Sequence, residues 1–123
     1  MRYKHVALTI EFEAAHPHVK ALALYLDHYA NTKLGKDLLI TDVSRTHEEY
    51  NDLYHANPYT GPMPHLGPES RAIDFRTVGE LSDTQVAMLV DHMNSCWKRK
   101  DLKPTAMFHN VGAGSHIHLQ AEI

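Results

Sequence analysis

The C-terminal stretches 105–110 (TAMFHN) and 115–121 (SHIHLQA) decide the fold, because each has strand-like composition and a glycine-containing segment joins them. This arrangement predicts a β-hairpin. A loop of two or of four residues gives one register, in which His109 faces His116, whereas an odd loop would shift it. His118 then shares their face, because side chains alternate along a strand. The hairpin therefore predicts one sheet face rich in histidine.

Residues 71–76 (RAIDFR) predict another strand of the same sheet, because polar and apolar side chains alternate along them. Asp74 is expected on the polar face, away from the apolar side chains. The apolar face of the hairpin is predicted to include Ile117, Leu119 and Ile123. Together these strands predict a sheet with one face buried in the core.

Three helices are predicted from their terminal signals. Pro17 occupies a first-turn position, and Gly35 can end the same helix. Capping boxes at residues 46–49 (THEE) and 82–85 (SDTQ) predict the starts of the other two. The last helix has an apolar stripe that is predicted to be buried, formed by Val86, Leu89, Val90, Met93 and Trp97.

The remaining segments complete the predicted order of elements. Residues 3–12 alternate and predict an N-terminal strand with its apolar side chains on one face, and residues 38–43 predict a short apolar strand. Residues 55–70 contain four of the six prolines and two glycines, which predicts a long ordered loop. The order β-α-β-α-loop-β-α-β-β has no regular parallel-type repetition. It predicts an α+β fold, with a small, mainly antiparallel sheet packed with about three helices.

The composition fits one folded domain spanning residues 1–123. Hydrophobic residues make up 43% of the chain and charged residues 22%, which excludes an intrinsically disordered chain. The formal net charge of −3 gives no electrostatic basis for phosphate binding, so nucleic acid is not an expected partner. The lone Cys96 is predicted to fill a buried helix position rather than to act as a reactive thiol.

The N-terminus, MRYKHVALTIEFE, contains no continuous apolar segment and so does not predict a signal peptide. No other run approaches the length of a membrane span. We therefore expect a soluble protein made in the cytoplasm without a signal peptide, for which action on the cell wall would need another release route.

Histidines are unusually frequent, with eleven against twelve Lys and Arg residues together. A His-x-His pair on a strand can be merely solvated, but two further residues support a metal site here. His65 comes from the long loop and Asp74 from the polar face of its strand, so both could meet His118. Two histidines, one carboxylate and an open position form the ligand set typical of catalytic zinc. His109 and His116 are predicted to line the same site.

Four stretches, in order along the chain, resemble the zinc peptidases of peptidoglycan. This family includes D-alanyl-D-alanine carboxypeptidases, murein endopeptidases and phage endolysins. Its hallmark is a loop histidine followed by a glycine, then an Ala-x-Asp strand and a late His-x-His. The matching stretches are 39–46 (LITDVSRT), 64–67 (PHLG), 71–76 (RAIDFR) and 115–119 (SHIHL).

The resemblance implies a metallopeptidase that hydrolyses an amide bond in a peptidoglycan stem peptide, as a carboxypeptidase or an endopeptidase. It implies that Zn²⁺ is the cofactor and that His65, Asp74 and His118 are its ligands. It also implies that His116 and His109 orient water, move its proton or hold the tetrahedral intermediate.

The resemblance gives a role to Arg45 as well, which lies at a predicted strand-to-helix junction. Arg45 would bind the carbonyl or carboxylate of the substrate and stabilise the developing oxyanion. The alternative is a surface arginine that makes a weak ion pair with Glu48 or Glu49.

The chain departs from the family pattern at three places. Eight residues separate His65 from Asp74, two more than in most members. Met63 stands where many members have a serine, and Ser115 stands where many have the glutamate that serves as general base. Glu69 is one candidate for that base. The histidines near the metal are the other, as in the His-x-His variant of the family.

Two other functions are compatible with these residues. The His116-Ile117-His118 stretch also fits the histidine-hydrophobic-histidine nucleases that nick DNA, with Tyr50 or Tyr54 as the nucleophile. The negative net charge argues against the nuclease function. That function also gives no role to His65 or to Asp74. A zinc-binding module without catalytic activity is the other alternative.

Overall fold

The computed structural model describes residues 1–111 and 114–122. Gly112 and Ala113, from the predicted hairpin turn, and Ile123, from the predicted core, lie outside the described residues. Within the described part the elements are β1 (Arg2–Tyr3), α1 (Ala7–Ala14), α2 (Pro17–Leu34), β2 (Leu39–Asp42), α3 (His47–Tyr54), β3 (Ala72–Arg76), α4 (Asp83–Cys96), β4 (Ala106–Val111) and β5 (Gly114–Gln120).

The strands form a sheet in the order β1-β2-β3-β5-β4. β1 pairs with β2 in parallel, whereas the other neighbouring pairs are antiparallel. The predicted α+β fold, with a mainly antiparallel sheet and a C-terminal hairpin, is therefore confirmed. The register of the hairpin is also as predicted, because His109 lies opposite His116. β3 places Asp74 opposite His118.

The predicted helix signals are confirmed. α2 has Pro17 in its first turn and ends before Gly35, whose φ of 64° lies in the left-handed region that glycine adopts without strain. α3 and α4 begin with complete capping boxes at Thr46 and Ser82. The box at Thr46 fixes the start of α3 directly after Arg45.

The predicted strand over residues 3–12 is wrong, because most of this segment forms α1. Leu8 and Phe12 are buried, whereas Val6 and Ile10 are 81% and 74% exposed. A spacing of four residues fits both strand alternation and one helical turn, so the buried pair alone does not separate the two. The described part of the chain consequently has four helices rather than about three, and β1 has only two residues.

The core lies between one face of the sheet and the helices α1, α2 and α4, which contact β2, β5 and β4 respectively. Ile73 and Phe75 of β3 are fully buried there, as are Ile117 and Leu119 of β5. The core therefore covers one face of the inner strands β3 and β5. The side chains of the opposite face are free to form a site.

The predicted stripe on α4 is buried at Val86, Leu89 and Met93 but fails at its end. Trp97 is 45% exposed, and Cys96 is exposed although a buried position was predicted. The helix ends at Cys96, and Trp97, with φ −126° and ψ 70°, no longer follows the helical path. No helix in the described residues has the length and apolar character needed to span a membrane.

Candidate metal centre

Two of the predicted ligands come from neighbouring strands. Asp74 and His118 occupy paired positions of β3 and β5, on the face opposite the core. Cross-strand partners are close enough for direct contact, and His118 Nδ1 lies 2.9 Å from Asp74 Oδ1. The other ring nitrogen, Nε2, lies 2.9 Å from Gln120 Oε1. Regular strand pairing therefore creates this half of the site.

The third predicted ligand, His65, comes from the loop between α3 and β3, which is bound to the segment after β2. The Arg45 amide donates to the His65 carbonyl at 2.7 Å, and the Gly67 amide donates to the Arg45 carbonyl at 3.1 Å. The His65 amide donates to the hydroxyl oxygen of buried Tyr50 at 2.7 Å. These bonds hold the loop over the sheet.

Gly67 allows the close approach of this loop. A Cβ atom at Gly67 would lie 2.6 Å from Cβ and 2.8 Å from Oγ of Ser44, closer than side-chain atoms can pack. Farther along the loop, the Ser70 hydroxyl donates to the carbonyl of Val43 at 2.7 Å. Glycine therefore avoids a steric clash where the loop packs against Ser44, two residues after β2.

His65 and His118 each make an outer hydrogen bond, on the side of the ring away from Asp74. These outer bonds define which ring nitrogen faces Asp74. Nδ1 of His65 donates to the Val43 carbonyl at 2.8 Å, which leaves the lone pair on Nε2. That Nε2 atom lies 3.3 Å from Asp74 Oδ1, has no hydrogen-bond partner and is buried. His118 Nδ1–H donates to Asp74 Oδ1 at 2.9 Å, and the contact between His118 Nε2 and Gln120 Oε1 is the outer bond that would remain if a metal ion replaced the Nδ1 proton. Such outer acceptors fix the tautomer of metal-binding histidines.

His65, Asp74 and His118 together form a buried group that could hold a metal ion. One ligand atom from each lies within 4.8 Å of the others. Their side chains are 1%, 3% and 5% exposed, respectively, and buried polar atoms without partners are rare in folded proteins. The unpartnered His65 Nε2 fits a cation between the three residues better than it fits a purely structural cluster.

The electrostatics of the cluster follow from its burial and its opposite charges. Burial raises the pKa of Asp74, but the hydrogen bond from His118 and the proximity and positive charge of His65 and His118 outweigh it and hold that pKa far below its ordinary range. Burial lowers the pKa of His65, but the proximity and negative charge of Asp74 outweigh it and raise that pKa. Asp74 is therefore ionised, as a metal ligand must be.

His116 and His109 lie beside the three buried residues, as predicted. His109 Nδ1 lies 3.2 Å from His116 Nε2, and that Nε2 lies 3.6 Å from Asp74 Oδ2. Burial, with the nearby His118 and His116, lowers the pKa of His109, which favours its neutral form. The two rings are partly exposed, so they connect the buried cluster with solvent.

Arg45 also reaches the cluster. Its Nη2 atom lies 2.6 Å from Asp42 Oδ2 and 3.6 Å from Asp74 Oδ2, and its guanidinium lies 5.4 Å from the ring centre of Tyr50. Burial lowers the pKa of Arg45, but the charges of Asp42 and Asp74 outweigh it and raise that pKa. Arg45 therefore faces the cluster, and its ion pairs within the described residues do not involve Glu48 or Glu49.

The cluster lies in a cleft of about 640 Å³. One wall is aromatic, because the rings of Tyr54 and Tyr59 stack at 4.3 Å and Tyr59 in turn stacks on Tyr50 at 5.7 Å. Tyr54 is half exposed, whereas Tyr50 is buried behind the loop. Among the described residues no glutamate lines this cleft, and Glu69 is exposed outside it.

Three residues that support the site had no assigned role in the sequence prediction. Gln120 lies two residues after His118 on one strand, and strand alternation, which places the two side chains on one face, is the signal that could have found it. Tyr50 has a role in the sequence prediction only as the nucleophile of the alternative nuclease. Asp42 had no role either, since its contact with Arg45 depends on the turn after β2.

Comparison of the chain with protein-family models, with curated proteins and with solved structures gave no match.

Proposed function

We propose that this protein is a zinc-dependent hydrolase of an amide bond in a peptidoglycan stem peptide. The observation that carries the proposal is the buried, unpartnered Nε2 of His65, which faces Asp74 and His118 at the base of an open cleft. The substrate class rests on the sequence resemblance, which leaves carboxypeptidase and endopeptidase action equally open.

The donor set favours zinc among the common divalent ions. Two imidazole nitrogens and one carboxylate oxygen are the ligand types of catalytic zinc sites, whereas magnesium and calcium prefer oxygen ligands. The three ligands occupy fewer positions than the four of a structural zinc site. A site of this composition, opening into a cleft, supports a catalytic role.

Each neighbouring side chain has a task in this reaction. A bound zinc ion supplies Lewis acidity, which polarises the amide carbonyl and lowers the pKa of water. The guanidinium of Arg45 stabilises negative charge on the carbonyl oxygen as that charge develops. His116, within hydrogen-bond distance of His109, accepts the proton from the attacking water and delivers a proton to the leaving amine.

The choice of His116 as the proton carrier follows from the composition of the cleft. Among the described residues no glutamate lines the cleft, so a carboxylate base of the usual kind has no candidate there. His116 lies 3.6 Å from Asp74 and is partly exposed, which gives its ring access to both the metal ligands and solvent.

The test measures bound zinc and hydrolysis of peptidoglycan peptides for the parent and three variants. Asp74→Ala is expected to lose both zinc and hydrolysis. His116→Ala is expected to keep zinc and to lose roughly 10²–10⁴-fold in kcat, the range for removal of a general acid or base. Tyr54→Phe is expected to keep both. Exposed Asp91→Ala and His28→Ala are the matched controls.

Other results would identify a different function. Hydrolysis retained by Asp74→Ala would refute the metal-dependent mechanism. Zinc binding without hydrolysis of any peptide by the parent would indicate a non-catalytic zinc module. DNA nicking that disappears in Tyr54→Phe would indicate the nuclease instead.

A further inference from the structure

The cleft differs in charge from the protein as a whole. The chain carries a formal net charge of −3, yet the charged residues that line the cleft are three cations and two carboxylates, apart from the histidines. The cations are Lys4, Arg45 and Arg76, and the carboxylates are Asp42 and Asp74. A bound divalent ion would make the cleft still more positive. This distribution favours a substrate that carries negative charge.

The two arginines of the cleft have different surroundings. Arg45 is neutralised by Asp42 and Asp74. Arg76 makes no ion pair within 4.0 Å in the described part of the chain. The carboxylate of Glu80 is near enough for Arg76 to help lower its pKa, but Arg2 already binds both of its oxygens, at 3.4 and 2.8 Å. The guanidinium of Arg76 is therefore available to a ligand.

Arg76 lies next to the metal ligands along the sheet. It follows Asp74 by two residues on β3, so both side chains point to the same face, about 6.5–7 Å apart along the strand. Its cross-strand partner is His116. Consecutive residues of an extended peptide are separated by roughly half this distance. A carbonyl held at the metal ligands would thus have its neighbouring residue within reach of Arg76.

Lys4 adds a second cation on the side of β1. Its amide donates to the Ile40 carbonyl at 2.9 Å, which continues the β1–β2 pairing by one residue. Its side chain is exposed and lines the same cleft. Lys4 strengthens the positive potential there, whereas the planar guanidinium of Arg76 can bind both oxygens of a carboxylate.

We propose that Arg76, assisted by Lys4, forms a carboxylate-binding subsite beside the metal ligands. The subsite selects substrates that have a free carboxylate on the residue next to the scissile amide. This inference rests on the proposed hydrolytic function and specifies its substrate class. Removal of the substrate carboxylate, or of the Arg76 charge, costs the same interaction, and the two changes are not additive.

The test uses the zinc-loaded full chain and two pairs of peptides that differ only by a carboxylate. One pair is acetyl-L-Lys-D-Ala-D-Ala and its C-terminal amide, and the other is acetyl-L-Ala-D-Glu amide and acetyl-L-Ala-D-Gln amide. The parent is expected to favour the carboxylate member of at least one pair by about tenfold or more in kcat/KM, since the neutral member lacks the charge-assisted hydrogen bonds to Arg76.

Arg76→Gln is expected to abolish this preference and to keep bound zinc, since the variant loses the charge of Arg76 but none of the metal ligands. Arg76→Lys should retain part of the preference. Arg71→Gln is the matched control, because Arg71 precedes the same strand but does not line the cleft. No preference in the parent, or an unchanged preference in Arg76→Gln, would overturn the subsite.

Binding separates failure of the subsite from failure of the proposed function. If the zinc-loaded parent hydrolyses no peptide of either pair, the proposed function has failed, and the same peptides are titrated by NMR. Tighter binding of a carboxylate member to the parent than to Arg76→Gln would still support the subsite. Equal binding to both proteins would refute it.

Discussion

The metal centre has a strand half, Asp74 and His118, and a loop half, His65. Different kinds of contact position the two halves. On the strands, Asp74 and His118 are cross-strand partners, and regular pairing alone makes them neighbours. In the loop, His65 depends on backbone bonds to Arg45 and on the hydroxyl of Tyr50. The first half follows from local periodicity, whereas the second follows from contacts between distant segments.

This difference predicts that the two halves respond differently to mutation. A strand position is supported by many regular backbone hydrogen bonds between neighbouring strands, so a change to one side chain leaves its neighbours in place. A loop position held by a few specific bonds moves when one of them is disturbed. The ligands themselves are nevertheless expected to be equally important, because each supplies one bond to the same ion.

The largest expected effect is the loss of a ligand from either half. His65→Ala and His118→Ala should each weaken zinc affinity by more than a hundredfold, beyond the roughly 10–100-fold typical for loss of an outer partner. Competition with a chromophoric chelator measures the affinity, with exposed His28→Ala as the control. A large effect of His118→Ala with none for His65→Ala would show that the loop does not contribute a ligand.

A smaller effect is expected from the outer partner in the strand half. Gln120→Leu removes the acceptor of His118 Nε2, 2.9 Å away, and should weaken zinc affinity by roughly 10–100-fold. Gln120→Glu keeps an acceptor and should retain tight binding. The same chelator competition measures both variants. Equal losses in both would mean that Gln120 acts through packing rather than through the tautomer of His118.

The pH dependence should link the two halves, because His65 and Asp74 have opposite pKa shifts. The raised pKa of His65 stabilises the metal-free protein below the ordinary value of 6.5, and this contribution is lost as pH rises through the folded-state pKa. The lowered pKa of Asp74 contributes above about pH 4 and is lost only as pH falls through its folded-state value. Both contributions are therefore complete between about pH 4 and 6.5.

Urea unfolding of the metal-free protein should accordingly show stability that declines as pH rises above 6.5. Zinc affinity should change in the opposite direction, by about tenfold per pH unit for each proton displaced. His65→Gln should flatten both trends, since it removes the titrating ring. A parent affinity independent of pH across this window would contradict competition between proton and metal at His65.

The smallest expected effect on zinc affinity concerns the loop backbone. Gly67→Ala forces a Cβ against Ser44 and should cost about 1–3 kcal/mol of stability, with a several-fold loss of zinc affinity as His65 shifts. Ser44→Gly removes both contacting atoms and should restore most of the stability in the double variant. Thermal unfolding of the four proteins measures this coupling. Additive effects of Gly67→Ala and Ser44→Gly on stability would mean that the clash with Ser44 is not the source of the strain.

Much of the fold could be predicted because its signals are local. The capping boxes at Thr46 and Ser82 and the glycine at position 35 mark helix ends through bonds within a few residues. The failure at α1 has the same origin. Leu8 and Phe12 satisfy two periods at once, and only packing against the sheet decided which one the segment adopts.

The sequence by itself determined the faces of the strands, because alternation leaves no other position for Asp74, His116 and His118 once the sheet has a buried side. Only the tertiary structure decided that His65 meets them. Its amide bonds to Tyr50, fifteen residues away, and its ring bonds to Val43, twenty-two residues away. Contacts of this kind depend on how separate segments pack, which no local pattern encodes.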